Sequence, residues 1–196
     1  MVVVTAGVAE AAVRAGERAP DFTLHRGGGG EVTPASLRGR PAVLLFSRYL
    51  GCPMCRASMA SLRAEHERFA ARGATVVVVV QSSPERVDEA APAFPFVLAA
   101  DPERAAYQAY GVTPDRLLGT TLRTMTVGGA LSALGKVLRH GHGAFEGDEL
   151  QRPAEFVLDE NGVVVHARLF GAVADGFDVE TLLRAVDARA ARQAAP

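Results

Sequence analysis

Pro41-Ala42-Val43-Leu44-Leu45-Phe46-Ser47-Arg48-Tyr49-Leu50-Gly51-Cys52-Pro53-Met54-Cys55 is the stretch on which the reading of this chain turns. Pro41 to Phe46 is a short continuous apolar run, which suits a strand buried on both faces. Arg48 to Gly51 forms a strand-to-loop turn, and Cys52 opens a helix. Pro53 is tolerated in a first helical turn and stiffens it. Apolar residues then recur at Cys55, Met59, Leu62 and Phe69, at helical spacing. The pattern predicts one helix from about Cys52 to Arg72, ended by Gly73.

Working outward, five consecutive valines from Val76 to Val80 read as a central parallel strand. Ser83-Pro84-Glu85 starts the next helix, with Ser83 as N-cap. Phe96-Val97-Leu98 is a third strand, and Asp101-Pro102-Glu103 and Thr113-Pro114-Asp115 repeat the helix-start chemistry. Upstream, Ala19 to Leu24 is extended. Gly27 to Gly30 make a hairpin tip and not a phosphate loop, because no Lys-Ser/Thr pair follows. Downstream, Leu117 to Phe145 is apolar and glycine-rich, with Leu131, Leu134, Val137 and Leu138 at helical spacing. It reads as helices that extend the core, or as a lid or partner surface beside Cys52. Phe156 to Asp159 is a strand, Glu160-Asn161-Gly162 a turn, and Val163 to Val165 the antiparallel return. A last helix carries Val179, Leu182, Leu183 and Val186 on one face. Alternating strands and helices with a terminal hairpin imply an α/β fold, a mixed central sheet flanked by helices. The expected organisation is an arm over residues 1–18, one domain over 19–187 with a helical insert at about 113–148, and a frayed tail over 188–196.

Composition bounds the function. The chain has 196 residues, 48% of them hydrophobic, enough for one buried core. A formal net charge of −1 offers no basic field for nucleic acid. No apolar run is long enough to cross a bilayer. Arg14 and Arg18 follow the apolar Met1 to Val4 instead of preceding it, the wrong order for a secretory signal, so a cytoplasmic location is expected. Only two cysteines are present, three residues apart. Such a pair in a reducing compartment is a redox couple or half of a metal site.

Position decides what these thiols can do. A helix N-terminus carries partial positive charge and free N–H groups, which stabilise a thiolate. A free thiol of pKa about 8.5 is roughly 3% ionised at pH 7, whereas one at about 6.5 is roughly three-quarters ionised. Arg48 and Arg56 add positive potential nearby. Cys55, one turn on and expected to face inward more than Cys52, is placed to attack a mixed disulfide or sulfenic acid on Cys52. Cys52 is therefore assigned as the attacking thiol and Cys55 as the resolving one.

Ala19-Pro20-Asp21-Phe22-x-Leu24, Leu37-Arg38-Gly39-Arg40, Val43-Leu44-Leu45-Phe46 and Gly51-Cys52-Pro53-x-Cys55 together resemble peroxiredoxin-like proteins of the alkyl hydroperoxide reductase/thiol-specific antioxidant superfamily, in their C-x-x-C-bearing branch. The segment Arg152-Pro153-Ala154-Glu155-Phe156-Val157-Leu158-Asp159-x-x-Gly162 resembles the strand entering the hairpin of thioredoxin-fold proteins. There the proline is characteristically cis and sits against the active cysteine, a role carried to Pro153. The resemblance spans about Glu17 to Leu183. It implies a thioredoxin-like fold and an antioxidant thiol peroxidase that needs no cofactor, takes a hydroperoxide or disulfide, and is restored by an external thiol. A homodimer is among the assemblies it implies. Two departures stand out. Peroxiredoxins typically place Pro seven and Thr three residues before the attacking cysteine, where this chain has Leu45 and Tyr49. They also use an arginine near the start of the late strand, and Arg152 is offset by one because Pro153 holds the matching place.

Other residues carry two readings each. His140-Gly141-His142 has one intervening residue, short of the usual spacing of zinc-binding pairs, so no metal is expected. His66 reads as a core-edge histidine. Tyr49 lines the thiol pocket or packs. Asp148 and Glu149 are solvated carboxylates or a proton relay near the thiols. The functional alternatives to a peroxidase are a protein disulfide reductase, a redox-sensing module, and a fold recruited to a specialised small-molecule conversion.

Overall fold

A computed structural model describes residues 13–114, 134–135, 138–139, 141, 143–171 and 175–193. Its seven strands form one mixed sheet in the order β2-β1-β5-β4-β3-β6-β7. The centre is the expected apolar runs. β3 (Ala42–Phe46) pairs in parallel with β4 (Thr75–Val80), and β4 in parallel with β5 (Val97–Ala100). β6 (Ala154–Leu158) lies antiparallel on the other side of β3, and β7 (Val164–Leu169) closes that edge as the hairpin partner of β6. The turn works as read: the Asp159 carboxylate accepts the N–H groups of Asn161 and Val163 at 2.9 and 2.8 Å. At the far edge β1 (Leu24–Arg26) and β2 (Glu31–Val32) flank the four glycines, where Arg26 N–H bonds the Gly30 carbonyl at 3.0 Å. The glycine run is a hairpin tip.

The helix after Cys52 differs from expectation. It is two pieces, α1 (Pro53–Ala64) and α2 (His66–Ala70), broken at Glu65 with φ −104° and ψ 6°. Between Leu62 and Phe69 the inward position belongs to His66, whose Nδ1 is buried without a hydrogen-bond partner. With nothing apolar to seat there, the chain re-aims and still buries Phe69 completely. α3 (Pro84–Ala90) starts at Ser83, whose hydroxyl turns to Glu85 instead of capping the backbone. α4 (Ala105–Ala109) begins later than Pro102. Asp101 caps it by accepting the N–H groups of Ala105, Ala106 and Tyr107 at 2.9, 2.9 and 3.3 Å. α5 (Val179–Gln193) continues through much of the segment read as a tail.

The period-two alternation of the strands divides the core between the two sheet faces. On one face Leu44, Phe46, Val77 and Val79 meet Tyr107, Tyr110 and Phe156, and Phe46 stacks on these three rings at 5.0 to 5.7 Å. On the other, Val43, Leu45, Val76 and Val78 meet Met59 and Leu62 of α1, Phe69, and Leu182, Leu183 and Val186 of α5. Both cysteines belong to this second face. Of the insert, Leu131, Val137 and the paired histidines His140 and His142 lie outside the described residues, as do residues 1–12. Leu134 and Leu138 are described and are 53% and 77% exposed, outside both cores. Among the described residues no helix is long and apolar enough to cross a membrane.

Candidate active site

The site is built where β3 and β4 run out at their carboxyl ends. After Phe46 the chain turns through Ser47–Gly51, and Cys52 becomes the N-cap of α1 with extended dihedrals, φ −73° and ψ 124°. That geometry turns its sulfur onto the open first turn, where Sγ accepts the Cys55 N–H at 3.3 Å. Pro53 sits just inside the helix start, where its missing N–H costs nothing. Arg48 is buried, and its guanidinium bridges the site: Nη2 donates to Cys52 Sγ at 2.9 Å and Nη1 to the Glu149 carbonyl at 2.9 Å. Arg56 is exposed on α1.

Both thiols are free and buried, Cys52 0% exposed and Cys55 6%. A strap, residues 143–151, is laid over the turn. Gly143 N–H bonds the Gly51 carbonyl at 2.8 Å, and a Cβ on Gly51 would stand 2.4 Å from the Ala144 carbonyl oxygen. Polar contacts pin the rest. Ser82 donates to Glu146, Arg86 pairs with Glu146 at 3.2 Å, the Gln81 side chain accepts Asp148 N–H at 2.7 Å, and Arg104 pairs with Asp148 at 2.8 Å. Cys55 instead faces a water-sized cavity of about 10 Å³, lined also by Ser47, Met54, Ser58, Pro153, Asp175 and Phe177.

The two thiols hydrogen-bond to each other and titrate as one acid. Burial opposes the first ionisation. The hydrogen bond from Cys52, the Arg48 guanidinium, the Ser47 hydroxyl and the Arg48 backbone N–H outweigh it, and the Cys55 thiol is brought down to about 5. Hydrogen bonding to that anion, burial and its charge then push Cys52 well above the ordinary thiol range. Since Cys52 Sγ itself takes a guanidinium N–H and a helix N–H, the pair loses one proton readily and shares the other. Arg48 is held above its ordinary value although burial works against it, because the negative charge shared by the thiol pair favours its own. Tyr49 is fully buried, and its phenol donates to the Glu149 carboxylate. Burial first, then that carboxylate and the Cys52 charge, hold the phenol far above its usual range.

Of the residues singled out from sequence, Cys52, Cys55, Arg48, Tyr49, Pro53 and Pro153 come together here. Pro153 faces Cys55 across the cavity, and its peptide bond, left open by the sequence, is trans, as are all those described. The neighbouring strands hold the segment: Phe170 N–H bonds the Pro153 carbonyl at 3.2 Å as β6 begins. Arg152 points away from the thiols, donating to the Thr113 carbonyl at 3.1 Å and its hydroxyl at 2.7 Å. Ser47, Gln81 and Ser82 were missed. Their signal was available: polar residues directly following the apolar runs of parallel strands, at the strand ends where α/β sites form.

Known proteins share this architecture. The bacterioferritin comigratory protein of Xanthomonas campestris superposes with a TM-score of 0.61 at 20% identity, over 86% of this chain and 92% of that one. The reduced 2-Cys peroxiredoxin of Plasmodium vivax gives 0.67 at 18% identity, over 91% and 83%. In sequence, a Mycobacterium tuberculosis protein named "Putative peroxiredoxin Rv2521" is 29% identical over 111 residues, 55% of this chain and 71% of that protein. The AhpC/TSA family model matches residues 15–167, which contain the strand-turn-helix, both thiols, Arg48 and the strap. The chain, with a thioredoxin-like sheet presenting a C-x-x-C pair at a helix start, belongs to the AhpC/TSA family of thiol-dependent peroxidases.

Proposed function

We propose that this protein is an antioxidant thiol peroxidase in which the thiol pair holds one thiolate, and Cys52, having passed its shared proton to Cys55, attacks the terminal oxygen of a hydroperoxide. An S–O bond forms, the O–O bond breaks, and the product alcohol or water leaves Cys52 as sulfenic acid. The Cys55 thiol then displaces that hydroxyl as water and forms an intramolecular disulfide, which an external thiol reduces. No cofactor enters these steps. The reading rests on one observation above others: the Cys52 sulfur sits at the first turn of α1 with Arg48 Nη2 at 2.9 Å and Cys55 N–H at 3.3 Å, donors that stabilise a thiolate and the charge leaving it. Peroxide reaches that sulfur when the strap over Gly51 lifts. A cytoplasmic setting suits a dithiol that must be re-reduced.

Pro153 facing Cys55 across the cavity supports a second reading, disulfide reduction with the same two thiols. Trapping the products separates the roles. After one equivalent of hydrogen peroxide, wild type is expected to hold the Cys52–Cys55 disulfide, Cys55→Ser a sulfenic acid on residue 52, and Cys52→Ser no oxidised product. Sulfenic acid on residue 55 of Cys52→Ser would reverse the assignment, and no oxidation of wild type would favour the reductase.

A further inference from the structure

The exposed side of α1 carries a hollow that the thiol chemistry leaves unexplained. Arg56, Ala60, Arg63 and Ala64 follow one another at helical spacing and share one face of the helix. One turn back from Arg56 is Cys52, at the helix start. With Phe94 these four residues line a cleft of about 490 Å³, the size of a small-ligand site. The two alanines keep it open, since larger side chains there would fill it. Phe94 is its wall, its ring packed on that of buried Phe96 at 5.1 Å. The thiol end of the cleft meets the covering chain: Arg56 Nη1 lies beside Gly141, two residues before the Gly143 N–H that bonds the Gly51 carbonyl. None of the five lining residues belongs to the strap, so the cleft persists when the strap lifts. Its charge is of one sign. Arg68, Arg72, Arg86 and Arg104 each pair with a carboxylate, whereas Arg56 and Arg63 pair with none among the described residues. Arg56 also stands close to the start of α1, where the macrodipole disfavours a cation and no acidic residue in the first turn offsets it. Helix stability therefore does not account for it.

We propose that this cleft binds the carboxylate and apolar chain of a fatty-acid hydroperoxide and presents its peroxide group to Cys52, a substrate assignment that rests on the peroxidase reading. The cleft suits an elongated anion with an apolar body. The chain lies over Ala60 and Ala64 against the Phe94 ring. Arg63 receives the carboxylate, about 16 Å along the helix axis from Cys52. Its planar guanidinium offers a carboxylate two parallel N–H donors. Arg56, one turn from the thiol, adds positive potential along the way. The chemistry is the one already given, with the hydroxy acid as the alcohol product. Hydrogen peroxide has neither chain nor charge and gains nothing from the cleft.

Stopped-flow oxidation of the reduced full-length protein tests this with three oxidants: linoleic acid hydroperoxide below its micellar concentration, its methyl ester, and hydrogen peroxide. At limiting concentration wild type is expected to react with the acid roughly 10-fold faster than with the ester. Arg63→Gln should raise the half-saturating concentration of the acid and bring its rate down to that of the ester. Ala60→Trp fills the cleft and should slow acid and ester alike, relative to hydrogen peroxide. Both positions are exposed, and surface substitutions of this kind leave the fold intact. Equal reaction of wild type with acid and ester, or an acid preference that survives both substitutions, overturns the assignment. So does a loss that falls equally on all three oxidants, the mark of a structural effect. If wild type reacts with none of the three, the peroxidase reading fails and the assignment falls with it; if it reacts with hydrogen peroxide and shows no preference for the acid, the assignment alone fails.

Discussion

Replacing Arg48 by Met removes one guanidinium from a buried site and keeps the side chain's length. Its Nη2 lies 2.9 Å from Cys52 Sγ, and its charge is among the effects that bring the first thiol ionisation down to about 5. A hydrogen bond to a charged group contributes about 1.5–3 kcal/mol. At 1.36 kcal/mol per unit, its loss raises that ionisation by about 1–2 units. Two unit charges about 4 Å apart at an effective dielectric of about 20 attract by roughly 4 kcal/mol, an upper bound because the substitution also relieves the cost of burying the guanidinium. Near pH 5 the thiolate population is expected to fall from about half to roughly a tenth or less. Ultraviolet thiolate absorbance against pH measures it, and the pH dependence of alkylation by a small electrophile is an independent check. Arg48→Lys, which keeps the charge and loses the planar fork, should shift less. A midpoint unchanged or lowered in Arg48→Met would refute the placement of the guanidinium as the stabiliser of the anion.

Three further outcomes are expected. Gly51→Ala drives a Cβ to 2.4 Å from the Ala144 carbonyl, so the strap must shift; alkylation of Cys52 should accelerate, at a stability cost of about 1–3 kcal/mol by chemical denaturation. Asp101→Ala strips three N–H partners from the start of α4 and should lower stability by about 2–3 kcal/mol, or about 5–10 °C in Tm by calorimetry. The thiol pair itself makes stability depend on pH. Between about 5 and the unfolded thiol range the unfolded chain holds a proton the native pair has lost, so stability rises with pH; above that range the unfolded chain loses both protons while the native pair keeps one, so stability falls. Denaturation of the reduced protein against Cys52→Ser/Cys55→Ser should show that dome, and identical profiles would contradict it.

Much of the fold was legible because its signals are local. The apolar runs at Val43 and Val76, the Asp101 cap of α4, and the Asp159 to Gly162 turn each act within a few residues. The break at Glu65 was not legible, because the spacing of Leu62 and Phe69 is compatible with a straight helix and only the cost of seating His66 inward tells against it. The thiol pair was legible from its spacing and its place after a strand. The strap over it was not: its contacts join residues 44 to 101 positions apart, such as Arg104 with Asp148 and Arg48 with Glu149. Arg152 was carried toward the thiols by resemblance, whereas its fork is taken up by the Thr113 carbonyl and hydroxyl.

The most direct test of the central claim is the rate at which the reduced protein is oxidised by hydrogen peroxide in a stopped-flow experiment, compared with a free thiol of the same pKa. The Arg48–Cys52 geometry predicts oxidation far faster than the free thiol, lost in Cys52→Ser. Oxidation no faster than the free thiol, or unaffected by Cys52→Ser, would contradict it.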